Sequence, residues 1–183
     1  MKLNISNRNI EVVDYDSHWK IIFETEKTAL AKAIGSNAVK IDHIGSTLVI
    51  GLAAKPIVDI LIEVSNLEAL DAINKNIIAL GYTSEGENGI SGRRYFHKSG
   101  VQPSLHVHVF QSNDSHLHRH RAFKEYLITH PVVASEYASI KKAAALKSNN
   151  DINVYMALKN DFIQKHEKLA LKSFGNEKIN WNR

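Results

Sequence analysis

Residues 42–64 read DHIGSTLVIGLAAKPIVDILIEV. Two apolar, β-branched runs flank a connector that opens on glycine, serine and threonine. The pattern predicts a strand over Val39–Ile44, a break at Gly45-Ser46-Thr47, and a second strand over Ile57–Val64 begun by Pro56. The second run is apolar almost throughout, which suits a central strand covered on both faces. Chemistry can sit at the break. Gly45 lets the backbone approach a ligand closely. The N–H groups of the turn, with the hydroxyls of Ser46 and Thr47, suit phosphate oxygens. Asp59 suits a hard cation such as Mg²⁺ placed against those phosphates.

The spacing excludes two common phosphate loops. No Gly-Lys-Ser/Thr closes the glycine segment, so it is not a P-loop, and no G-x-G-x-x-G is present. Alternation puts Asp59, Leu61 and Glu63 on one strand face. Asp59 and Glu63 are then about 13 Å apart, too far to bridge one metal ion.

Further along, Leu105-His106-Val107-His108-Val109-Phe110 alternates strictly. His106 and His108 share a face, with Cα atoms about 7 Å apart, and can share a cation. If this strand neighbours 57–64, Asp59 converges with both histidines. His43, just before the glycine turn, is placed near the same mouth and completes a candidate metal set. Arg93, Arg94 and Lys55 offer charge for phosphate, and Tyr95 or Phe96 offers a ring to stack on a base. His116, His118 and His120 alternate too, but a helix predicted over His120–Thr129 begins inside that run and separates their rings.

Around this centre the periodicities predict helices over His18–Ile34, Leu67–Leu80, Val132–Leu146 and Ile152–Phe174, and a strand over Arg93–Lys98. The chain reads as an α+β part over 1–112 and a helical part over 113–183 packed on it. The 183 residues are 44% apolar and 23% charged, as in an ordinary globular domain. With no cysteine, disulfides, thiolate zinc sites, iron–sulfur clusters and thiol nucleophiles are excluded, and a metal must use the ten histidines or the carboxylates. No apolar run approaches the roughly 18 residues of a membrane span. The N-terminal stretch has no signal-peptide core, so a cytoplasmic location is expected. A net charge of +4 allows an anionic ligand without implying nucleic acid.

A strand, a Gly-Ser turn, about a dozen residues and a strand with Asp is the layout of the nucleotidyltransferase superfamily. The chain resembles one branch of it, the GrpB family of small bacterial proteins. The resemblance rests on Val13-Asp14-Tyr15-Asp16-Ser17-His18-Trp19, His43–Thr47, Gly51–Ile60, Arg94-Tyr95-Phe96, Leu105–Phe110, Phe123–Leu127, His130-Pro131 and Glu136-Tyr137. It implies a nucleotidyltransferase-like mixed β-sheet flanked by helices, with a helical C-terminal part. Many members carry Asp at the position of Leu61, and this chain departs there.

Three functions follow as expectations. The first is a divergent nucleotidyltransferase that moves a nucleoside monophosphate from an NTP to a small acceptor. It would use Asp59 and Ser46 for catalysis, and Gly45, Ser46, Thr47, Lys55, Arg93, Arg94 and Tyr95 for the nucleotide. One Mg²⁺ would sit at Asp59, with His106 and His108 supplying further ligands. The second is a catalytically degenerate protein that binds a nucleotide or a CoA-like ligand. The third is a hydrolase built on a transition metal at Asp59, His43, His106 and His108.

Overall fold

The computed structural model describes residues 10–174. The elements are α1 (His18–Ile34), β1 (Ala38–Ile44), β2 (Ile57–Val64), α2 (Leu67–Ala72), α3 (Asn74–Ile78), β3 (Thr83–Ser84), β4 (Arg94–Lys98), β5 (Ser104–Gln111), α4 (Ser115–Thr129), α5 (Pro131–Lys147) and α6 (Ile152–Phe174). The five strands form one sheet in the order β1-β2-β5-β4-β3. β2 and β5 run parallel, and the other pairs are antiparallel. This is the expected α+β class, a mixed sheet flanked by helices.

Two elements differ from the periodicity. The helix expected over 67–80 breaks at Ile73, which sits at φ −108°, ψ 10° between α2 and α3. Asn74 and Asn76 hold helices weakly because their amides compete for backbone partners, and the Asn76 amide donates to the Ala33 carbonyl at 3.2 Å. The helix expected from His120 instead starts at Ser115, because Asp114 caps it by accepting from the His116 N–H at 2.8 Å. His116, His118 and His120 are therefore all helical. The tail 175–183 lies outside the described residues.

The two faces of the sheet have different covers. Val58, Ile60, Ile62, Val64, Val107 and Val109, all fully buried, meet Phe23, Leu30 and Ile34 of α1 and Leu70 and Ile77 of α2 and α3. Each such side chain contributes about 1.5–3 kcal/mol of burial. The other face carries Ile44, Leu61 and Phe110, covered by Leu117 of α4. There Arg121 of α4 donates to Asp42 Oδ2 at 2.9 Å and to Glu63 Oε2 at 2.8 Å. Val49 and Leu52 of the β1–β2 connector pack with Leu127, Ala134, Tyr137 and Phe162 of the three C-terminal helices. α4 covers part of the polar face, and beside it the side chains of Asp59 and His106 stay 28% and 29% exposed.

Candidate functional site

The candidate site is built on β2 and β5. Parallel pairing puts Asp59 beside His106 and Leu61 beside His108. Asp59 Oδ1 lies 3.7 Å from His106 Nδ1 and 3.5 Å from His108 Nε2. On the neighbouring strand Tyr95 pairs with His108, and its ring lies 5.7 Å from that of His106 and 5.3 Å from that of His108. The convergence expected from alternation is present.

Gly45 has a sharper role than the sequence suggested. At φ +75° it occupies a backbone region that side chains disfavour, and a Cβ there would stand 2.6 Å from Asp59 Oδ2. The turn is pressed against the carboxylate itself. Ser46 faces the site and is hydrogen-bonded to Tyr137 of α5.

Electrostatics set Asp59 apart. Partial burial works to raise its carboxyl pKa. The His108 hydrogen bond and the charges of His108, His106 and His120 outweigh that and hold it below the usual carboxylate range. Arg93, 7% exposed, has Nη1 3.4 Å from His108 Nδ1. The neutral tautomer that satisfies both contacts accepts from Arg93 and turns its Nε2–H toward Asp59. Arg93 also donates to the carbonyls of Glu87 and Asn88 and covers the Tyr95 ring at 5.0 Å. Tyr95 is therefore a packed wall of the site, and burial pushes its phenol up to about 12.

Three expected residues lie elsewhere. His43 pairs with Ile60, so its ring turns to the other sheet face. There it stacks on Phe23 at 4.7 Å, and its Nε2 is 3.0 Å from Thr47 Oγ1. It does not join Asp59, His106 and His108, and Thr47 turns away with it. Arg94 also points to the opposite face from Tyr95 and is held by Asp71 at 2.7 and 2.6 Å. Adjacent strand residues face opposite ways, so Arg93 and Arg94 cannot both reach one phosphate. Among the described residues, no group of three or more histidines and carboxylates is arranged to hold a metal ion. Asp59 fits as one carboxylate ligand of a cation whose other ligands come from phosphate and water, and it has no carboxylate companion. Leu61 is fully buried against Ile44, Phe110 and Leu117, so α4 seals the position of a second carboxylate. Glu63 is engaged by Arg121 and by Ser112, which donates to it at 2.9 Å.

The helices add residues that the motifs did not show. Lys141 of α5 is 2% exposed, and its Nζ has no hydrogen-bond partner. It lies 4.5 Å from the Tyr137 ring centre. Burial, with the charge of Lys159, pushes it down to about 7. Lys159 of α6 falls to about 8 through burial and the Lys55 charge, against the pull of Asp59. Lys55 and Lys159 both lie over the Tyr155 ring, at 5.3 and 4.6 Å. The sequence did carry a signal. Tyr137 and Lys141, like Tyr155 and Lys159, are i, i+4 pairs, and the first pair lies on the buried stripe of its helix. A lysine on such a stripe is unusual. His120 closes the site beside His108 at 5.7 Å, and burial pushes it down to about 3.

One carboxylate, Asp59, thus stands beside His106 and His108, and the charges of His120 and Lys159 reach it. Residues 9–169 match the family described as GrpB protein. The chain belongs to the GrpB family. It is 41% identical over 163 residues to the UPF0157 protein YqkA of Bacillus subtilis (strain 168). That match takes in 89% of this chain and 48% of YqkA, so the chain spans about half the length of that relative. The crystal structure of GrpB from Enterococcus faecalis is similar with a TM-score of 0.86 at 40% identity, over 91% of this chain and all of that one. The Cid1 poly(U) polymerase is similar at a TM-score of 0.44 and 14% identity, over 72% of this chain and 45% of that one. No helix among the described residues of this GrpB chain is long and apolar enough to cross a membrane.

Proposed function

We propose that the Asp59 site binds a nucleoside triphosphate and that the protein is a divergent nucleotidyltransferase acting on a small acceptor. One observation carries this reading: the Nζ of Lys141 is buried without a hydrogen-bond partner and feels the charge of Lys159, which in turn feels that of Asp59. An unpaired buried ammonium is costly, and a polyphosphate entering between α5 and α6 would compensate it. Lys55 and Lys159 would balance the remaining phosphate charge, and the Gly45 turn with Ser46 would hold the inner phosphate. Mg²⁺ bound at Asp59 would neutralise phosphate charge and polarise the phosphorus–oxygen bonds. His108, positioned by Arg93, would orient the Asp59 carboxylate. His106, kept largely neutral by burial against the pull of Asp59, would accept the proton of the acceptor hydroxyl as its oxygen bonds to the α-phosphorus and pyrophosphate leaves.

A second reading, binding without transfer, is favoured by Leu61, since the second carboxylate position is sealed under Leu117. The test incubates the full chain with Mg²⁺, each of the four α-labelled NTPs and a small-molecule extract, and follows labelled adducts by mass spectrometry. A transferred NMP that disappears in Asp59→Asn supports the first reading. Triphosphate binding by calorimetry without adducts supports the second. Neither binding nor adducts would end both.

A further inference from the structure

A second cavity lies behind the glycine turn, on the side away from Asp59. Its volume is about 540 Å³, within the range of small-molecule sites. Phe23, His43 and Thr47, all buried, form its deep end. Leu48, Leu52 and Leu127 line its walls. α5 leaves room for it by presenting Ala134, Ser135 and Ala138, side chains too small to fill the space. Ile50 and Ile128 stand at the mouth, 84% and 47% exposed. Large apolar side chains gathered around a concave opening mark a binding site more than a bare surface.

The charge distribution states what can enter. The charged groups of the lining, Lys20 and Glu24, are exposed at the rim. The deep end is polar but uncharged. Burial keeps the His43 imidazole neutral, down to about 4. The ring is stacked on Phe23 and hydrogen-bonded with Thr47 Oγ1 at 3.0 Å. An ionised ligand group placed there would leave water with no charged side chain of the lining beside it, and the charges that reach His43 from outside the lining, Asp59 and Lys124, are of opposite sign and offset each other. A neutral hydroxyl or carbonyl would instead join the His43–Thr47 pair. The apolar walls suit a flat ring body, for which the stacked Phe23–His43 rings form the base.

We infer that this cavity is a second ligand site, for an uncharged small molecule with an apolar ring body and one hydroxyl or carbonyl group seated on His43 and Thr47. Its lining shares no residue with Asp59, His106 and His108, so the inference does not need the nucleotide reading, although the Asp59 charge reaches His43. Ser46 and Thr47, adjacent in the chain, then serve two sites on opposite sides of one turn.

The test uses 2-naphthol as probe and the full chain, by calorimetry and NMR. One molecule should bind per chain, with contacts from its ring protons to the methyl groups of Leu48 and Leu127. Naphthalene, which lacks the hydroxyl, should bind roughly fivefold more weakly, the net worth of one hydrogen bond. His43→Phe keeps the ring stacking and should bring the two probes to equal affinity. Ala138→Phe should fill the cavity and abolish binding, and Ser135→Leu, at an exposed helix position, gives the same readout if the first variant does not fold. Failure of 2-naphthol to bind the wild-type chain would overturn the inference. So would contacts away from Leu48 and Leu127, or affinity unchanged in a folded filled variant.

Discussion

The two faces of the sheet are made by alternate residues of the same strands, yet they are opposite materials. On one, Val58, Ile60, Ile62, Val107 and Val109 are fully buried against α1–α3 and carry no polar atom in their side chains. On the other, Leu61 and Phe110 alternate with Asp59, Glu63, His106 and His108, and the next strand adds Asp42 and Ile44. The polar face is itself divided. Asp42 and Glu63 share Arg121 of α4, and Asp42 has Lys40 and Lys124 within 4 Å as well. Asp59 keeps 28% of its side chain exposed and meets only histidines at these distances. One apolar face supplies the stability that lets the other hold charges. A carboxylate there is structural when an arginine claims it, and available for chemistry when only titratable groups do.

Breaking the structural half should have the largest effect. Arg121→Met leaves Asp42 and Glu63 without their shared guanidinium and should cost about 3–5 kcal/mol in urea unfolding. Asp59→Asn should cost less than about 1 kcal/mol in the same measurement, since no buried cation loses its partner. Equal costs would erase the distinction between the two kinds of carboxylate.

Gly45→Ala comes next. The new methyl meets Asp59 Oδ2, and the φ of +75° adds strain, for a total of about 2–3 kcal/mol. Gly51→Ala, at φ +78° with nothing within 4 Å, should cost only about 1 kcal/mol. The two thermal melts separate close contact from backbone strain.

Lys141→Met should stabilise the empty protein by roughly 1 kcal/mol near neutral pH, because it removes a buried amine with no hydrogen-bond partner, whose charged form is penalised by burial, and keeps a similar shape. Its pH signature is specific. With a folded value near 7 against an ordinary 10.5, the folded chain binds fewer protons between those limits, so stability rises from pH 7 toward pH 10. The variant should flatten that rise. The smallest effect is on the acid side. His43 and His120 are lowered from 6.5 to about 4 and about 3, so stability falls as pH drops below 6.5. His120→Phe should make that loss shallower in chemical denaturation series.

The strand alternation made the Asp59–His106–His108 cluster legible, because period two and a parallel neighbour are all it needs. The same rule, applied to Arg94, places it on the far face from Arg93 and Tyr95; for His43 it takes the pairing with Ile60, which only the register of β1 against β2 reveals. Nearness in sequence is a poor guide on a strand, where neighbours such as Arg93 and Arg94 point opposite ways. Leu61 was visible as a departure, but its reason was not, since Leu117 reaches it from a helix more than fifty residues later. Lys141 and Lys159 escaped because no motif contains them. Only their place four residues after a tyrosine on a packed helix marks them, and what they face depends on how α5 and α6 dock.

The central claim is that the site holds a polyphosphate against Lys141. Calorimetric titration of the full chain with each NTP and Mg²⁺ at pH 8, in two buffers of different ionisation enthalpy, tests it directly. Binding should take up protons, because the neutral lysine becomes charged as the phosphates enter, and Lys141→Met should weaken binding and reduce that uptake. Binding that takes up no protons and is indifferent to Lys141→Met, or no binding of any NTP, would contradict the account.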